Sequence, residues 1–168
     1  MRSIITLLLV LLLPHLASAR EPVPDKVKAY FDAMKKHCSA QNLKGQAPLF
    51  AKEFQVTVTG LDGKTYTTKS TREHHIDYLK KFLSSVGDYK YDHKILGSVL
   101  KEDGSAYAKI LVTQSYKQDG QIVRYVATEE MILQRSGDSF EAVSMSITYH
   151  NETTESEQGG APNPLPAE

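Results

Sequence analysis

The chain has 168 residues, 20 Lys and Arg against 20 Asp and Glu, and one cysteine. Balanced charge excludes the strong positive field needed for general binding to nucleic acid or an anionic membrane. One cysteine excludes an intrachain disulfide, so a chain of single-domain size must rest on its apolar core.

Residues 1–19, MRSIITLLLVLLLPHLASA, carry a basic start at Arg2, an apolar run broken only by Thr6, and the small-x-small triplet Ala17-Ser18-Ala19. This pattern predicts a secretory signal peptide cleaved near Ala19. The run is shorter than the roughly 20 residues of a membrane span, so no stable membrane insertion is expected. The expected address is the periplasm or the extracellular space. In such an oxidising setting the lone Cys38 is buried, paired between chains, or reactive. Asn151-Glu152-Thr153 matches a glycosylation acceptor, which matters only in a eukaryotic secretory route.

After a short lead, Val27, Tyr30, Phe31, Met34 and Cys38 recur at helical period. Asp25 at one end and Lys35, Lys36 and His37 at the other suit the helix dipole. Residues 39–48 read as a loop. Phe54, Val56 and Val58 alternate with polar neighbours and predict a half-buried strand. Asp62-Gly63 turns it into a threonine-rich partner. Ser70 and Glu73 form a capping box, opening a helix whose stripe is Ile76, Leu79, Phe82, Leu83 and Val86, with Gly87 as its stop.

From there the chain reads as strand. Segments 91–100, 106–116, 122–135 and 140–149 are separated by Glu102-Asp103-Gly104, Asp119-Gly120 and Ser136-Gly137-Asp138. Tight turns between β-branched runs predict a four-stranded antiparallel meander, long enough to twist and curve, with a bulge expected within 122–135. In that segment Val123, Tyr125, Ala127, Glu129, Met131 and Leu133 share the face expected to be core. In the last strand Val143, Met145, Ile147 and Tyr149 share one side, with Phe140, Ala142, Ser144, Ser146 and Thr148 opposite. Residues 151–168 have no apolar period and read as a disordered tail. The expected organisation is a signal peptide over 1–19, one domain over 20–150, and the tail.

Helix, hairpin, helix and long meander, with GKTYTTKSTREHHIDYLKKFL over residues 63–83 as the most telling local piece, resembles the nuclear-transport-factor-2-like superfamily, also called cystatin-like. The resemblance implies an α+β fold shaped as a cone, with a curved antiparallel sheet packed against N-terminal helices around a pocket. It also implies a homodimer. In isomerase-like members a first-helix tyrosine and a strand acid form an oxyanion hole. Tyr30 fits the first position and Glu129 is the nearest candidate for the second, while the early general-base aspartate has no clear counterpart. Fold alone does not choose among the functions such folds host.

Three residues stand out as candidate pocket residues: Tyr30, His93 and Glu129. His93 alternates with Tyr91 and Ile95, so it is a candidate general base if that face borders a pocket. Glu129 interrupts an apolar row, and a buried carboxylate is costly unless paired or protonated. Lys109 and Arg124 are candidate structural partners for it. His74 and His75 point in different directions on a helix; His74 is expected outside and His75 at the core border. No phosphate loop, dinucleotide fingerprint, nucleophile elbow or metal-ligand spacing occurs, so no cofactor and no metal are expected. No residue is assigned a catalytic role. The reading that follows is an exported, non-catalytic domain binding a small apolar ligand or a protein partner. The alternative is a small cofactor-free isomerase or lyase.

Overall fold

A computed structural model describes residues 24–156. The signal peptide assigned to residues 1–19 lies outside the described residues, as do residues 157–168 of the tail. Helix α1 spans Asp25–Ser39 and buries Val27, Tyr30, Phe31 and Met34, the stripe set by its spacing. The loop expected after it contains a short helix, α2 (Leu43–Gln46), and a 3-10 turn (Ala47–Leu49). Asn42 caps α2 by accepting from the Gly45 N–H.

Strand β1 (Phe50–Thr59) and β2 (Thr65–Thr71) form the hairpin. Helix α3 (Arg72–Ser85) follows, but its cap is Thr71, whose side chain accepts from the His74 N–H, rather than Ser70. Ser70 instead donates to the Thr71 carbonyl. Gly87 opens the next strand instead of closing the helix, because Val86 is already extended. Strands β3 (Gly87–Leu100), β4 (Ala106–Gln118), β5 (Gln121–Ser136) and β6 (Ser139–Ser156) form the meander. The β4–β5 turn, Asp119-Gly120, takes positive φ at both residues (51° and 73°), the geometry that matches the twist of a two-residue hairpin.

Two expectations about the sheet are corrected. The sheet is mixed rather than antiparallel, because β1 pairs with β6 in parallel. It is also open rather than a curved cone: the six strands run in the order β2-β1-β6-β5-β4-β3, with β2 and β3 left as edges, and the sheet is neither closed nor strongly curled. Closure would need those edges to pair, and they stand at opposite ends of the order. The α+β class stands.

Register decides the two faces. The β5–β6 pairing shifts between Val126 and Ala127 and between Ile132 and Leu133. In each case the extra residue, His150 or Val143, lies on β6, so the bulges are there and not in β5. Hence β5 keeps strict alternation and buries Val123, Ala127, Glu129, Met131 and Leu133. The Val143 bulge also regroups β6: Phe140 and Ala142 are buried with Met145, while Ser144 and Ser146 face away. The last strand continues past His150 to Ser156, so residues 151–156 are strand rather than tail. Among the described residues no helix is long and apolar enough to cross a membrane.

The core lies between the inner sheet face and the helices. Phe31 of α1 packs edge-on against Tyr30 (centroids 5.1 Å apart), and Ala106, Ala108, Ile110 and Val112 form the floor on β4. Helix α3 sits differently. None of its residues is fully buried, and Ile76, Leu79, Phe82 and Leu83 are only half-covered. The space beneath part of that apolar face is a cavity.

Candidate functional site

The cavity measures about 530 Å³, within the range of small-molecule pockets. Its roof comes from α3 and the end of α1, and its floor from the inner face of β3–β6. Alternation along the strands is what aims Tyr91, Tyr116, Tyr125, Glu129, Met131 and Ile147 to this side. Leu61 and Tyr78 also line it while remaining 53% and 62% exposed, and so mark its mouth. Met34, Leu49 and Met131 are buried and mark its interior.

Glu129 is the polar centre of this interior. It lies opposite Ile110 on one neighbouring strand and Ile147 on the other, and is 7% exposed. Lys109 pairs with Glu130 at 2.8 Å and Arg124 with Glu155 at 2.6 Å, so neither expected partner reaches Glu129. Among the described residues its carboxyl has no hydrogen-bond or ion-pair partner. Burial alone raises its pKa to about 7, so at neutral pH it is present both as acid and as carboxylate.

The other two candidate pocket residues lie elsewhere. Tyr30 is buried in α1, does not line the cavity, and donates its hydroxyl proton to the Leu49 carbonyl at 3.0 Å. That bond ties α1 to the turn before β1. Burial, followed by the nearby charge of Glu129, pushes its phenol far up. His93 points to the inner face but is covered by α1: its ring lies 5.5 Å from that of Phe31 and 5.9 Å from that of Tyr91. Its Nδ1 is buried without a partner among the described residues, and burial holds its pKa below the usual imidazole value. Glu129 alone of the three borders the cavity.

Several lining residues lie outside the three sequence candidates. Tyr91 lines the cavity, and its buried hydroxyl has no partner among the described residues. His75 lies against Phe50 and Phe54, at ring distances of 4.5 and 5.3 Å, and burial lowers its pKa to about 4, leaving it neutral. His74 is exposed, as its helical position implies. Cys38 also lines the cavity as a free thiol, pushed up to about 12 chiefly by burial, so it is a weak nucleophile. An excess of tyrosine over phenylalanine, nine to five, was the available signal for the aromatic lining. Alternation alone could not say which of those rings share a face across strands. Among the described residues no cluster of three or more metal-ligating side chains occurs.

No protein-family model matches the sequence, and no curated protein matches it. Solved structures do. A putative scytalone dehydratase from Novosphingobium aromaticivorans is 11% identical, with a TM-score of 0.62, over 86% of this chain and 93% of that one. A ketosteroid isomerase-like protein from Erwinia carotovora atroseptica is 10% identical, with a TM-score of 0.60, over 76% and 95%. A protein with a cystatin-like fold from Caulobacter vibrioides is 15% identical, with a TM-score of 0.58, over 76% and 89%. The chain therefore has the nuclear-transport-factor-2-like, cystatin-like fold.

Proposed function

We propose that this chain of nuclear-transport-factor-2-like fold is an exported, non-catalytic domain that holds a small, mainly apolar ligand beneath α3. The observation that carries this reading is the cavity of about 530 Å³, with its apolar interior and one partnerless carboxyl. A mostly apolar pocket with few convergent polar groups is the usual form of a small-molecule site. Tyr30 is committed to Leu49 and His93 is covered by α1, which counts against a reaction built on the three candidates together. Native mass spectrometry of the protein purified from its own compartment tests the reading. A retained non-protein mass, lost in Ile147→Trp because the indole fills the cavity, is the expected result. No retained mass, together with no thermal stabilisation by any of a panel of apolar small molecules, would sink it.

Export is proposed from residues 1–19. N-terminal sequencing of protein recovered outside the cytoplasm should begin at Arg20; an intact Met1 would refute it. Self-association is proposed through the outer sheet face, where Val99, Tyr107 and Ile132 stand in register and Val99 and Ile132 are exposed. A dimer in light scattering that Ile132→Lys converts to monomer supports this, and a wild-type monomer rejects it.

One observation favours a second reading, a cofactor-free isomerase or lyase. Glu129 and the unbonded Tyr91 hydroxyl border the same cavity, a proton-exchanging carboxyl and a phenolic donor facing one space. Turnover of a substrate bound there, lost in both Glu129→Gln and Tyr91→Phe with binding retained, would establish it over simple binding.

A further inference from the structure

The lining of the cavity is uneven in charge and in ring content. Three acidic residues, Asp62, Glu129 and Glu152, border it, and among the described residues no lysine or arginine does. Asp62 is paired with Lys64 at 3.0 Å, so the uncompensated acids are Glu129 inside and Glu152 at the rim. Glu152 is exposed, stands opposite Tyr125 across the β5–β6 ladder, and has no cationic partner among the described residues. Glu129, more than nine-tenths buried and without a partner among the described residues, is a polar group on the wall that awaits one from a ligand.

Between these acids stands an aromatic wall. Phe82 of α3 meets Tyr116 edge-on at 5.1 Å and Tyr89 at 6.0 Å. Tyr116 donates its hydroxyl proton to Tyr125, and Tyr125 lies 5.6 Å from Tyr149 at a steep angle. Rings set at such angles present both faces and edges to the space they enclose. Aromatic faces attract cations, most strongly where water is excluded, and clusters of them recognise alkylammonium groups. The thioethers of Met34, Met131 and Met145 line the apolar side and adapt to varied shapes.

We propose that the cavity takes a small organic cation, with an alkylammonium head at the wall of Tyr116, Tyr125 and Tyr149 between Glu129 and Glu152 and an apolar body toward the methionines. The inference rests on the ligand-pocket reading above and specifies its chemistry. An anion of the same shape would lose its hydration against the Glu152 carboxylate and the part-ionised Glu129, with no lysine or arginine among the described lining residues to receive it.

The test is calorimetric titration of the full chain with three compounds sharing one apolar body: naphthylmethyl-trimethylammonium, naphthylmethanol and naphthylacetate. The cation should bind about ten-fold more tightly than the alcohol, with the anion weakest. Glu152→Gln and Tyr125→Leu should each weaken the cation about five-fold while leaving the alcohol unchanged. Glu152 is exposed, so its variant keeps the fold. Equal binding of cation and alcohol, or tightest binding of the anion, overturns the cation proposal and leaves the pocket reading standing. Cation selectivity that neither variant reduces overturns the placement of the head. Absence of binding by all three overturns the cation proposal, while the native mass spectrum and the thermal panel decide the pocket reading separately.

Discussion

Glu129 and Ile147 stand directly opposite each other across β5 and β6, so a carboxyl occupies a row that is otherwise aliphatic. The bulges that flank this pair lie on β6, at Val143 and His150, and leave Glu129 facing inward. Cavity, buried acid and strand register are thus one structural fact.

The pH dependence of stability should carry the mark of Glu129. Its folded pKa of about 7 lies above the ordinary carboxyl value of 4.5, so between those values the folded state holds more protons than the unfolded state. Its contribution is therefore fully present below 4.5, falls as pH rises to about 7, and is lost above that, a change of about 3 kcal/mol. Cys38 and Tyr30 on α1, Tyr89 and Tyr91 on β3, and Tyr149 on β6 are all raised and stay neutral throughout. His75 on α3, lowered to about 4, has the opposite slope between about 4 and 6.5. Urea denaturation of wild type and Glu129→Gln across this range should give a difference curve favouring the variant progressively from pH 4.5 to 7. A flat difference curve would remove the buried-acid account.

Tyr30→Phe should cost about 1–2 kcal/mol of stability, because it strands the buried Leu49 carbonyl while preserving the ring. Ligand affinity should not change, since Tyr30 does not line the cavity. A large loss of affinity with intact stability would return Tyr30 to the site.

Arg72 anchors the start of α3: its Nε donates to the Phe50 carbonyl at 2.7 Å and its guanidinium meets Glu141 at 3.3 Å. Both ends are half-buried, so Arg72→Ala should cost about 1–3 kcal/mol. Lysine cannot make both contacts with one fork, so Arg72→Lys should recover only part of this. Hydrogen exchange should accelerate in α3 before it does in β4 and β5. Uniform acceleration would refute the local anchoring role.

Deleting Val143 should be far more damaging than Val143→Ala. The deletion removes the bulge and forces either Phe140 and Ala142 or Met145 and Ile147 off the core face, whereas the alanine only trims a half-buried side chain. Circular dichroism should show a folded alanine variant and an unfolded deletion. A folded deletion variant would mean that the register is set elsewhere.

Much of this protein is written locally. The stripe of α1, the Asp119-Gly120 turn and the buried face of β5 follow from spacing, because a helix or strand reports its covered side through its own period. Glu129 could be singled out for the same reason: one carboxyl breaks an apolar alternation. The α3 cap sits one residue beyond the expected Ser70 because Ser70 and Thr71 are both capable caps, and the choice depends on where the strand before them ends.

Tertiary structure decided the rest. Parallel pairing of β1 with β6 joins segments separated by a helix and four strands, and no periodicity carries that information. The bulges sit on β6 because two strands must be matched, which neither encodes alone. Whether an inward residue meets a helix or a cavity depends on where the helices rest: His93 lies under Phe31, while Glu129 and Tyr91 border open space beneath α3. Sequence period determined which side of each strand faces inward; only packing determined what that side meets.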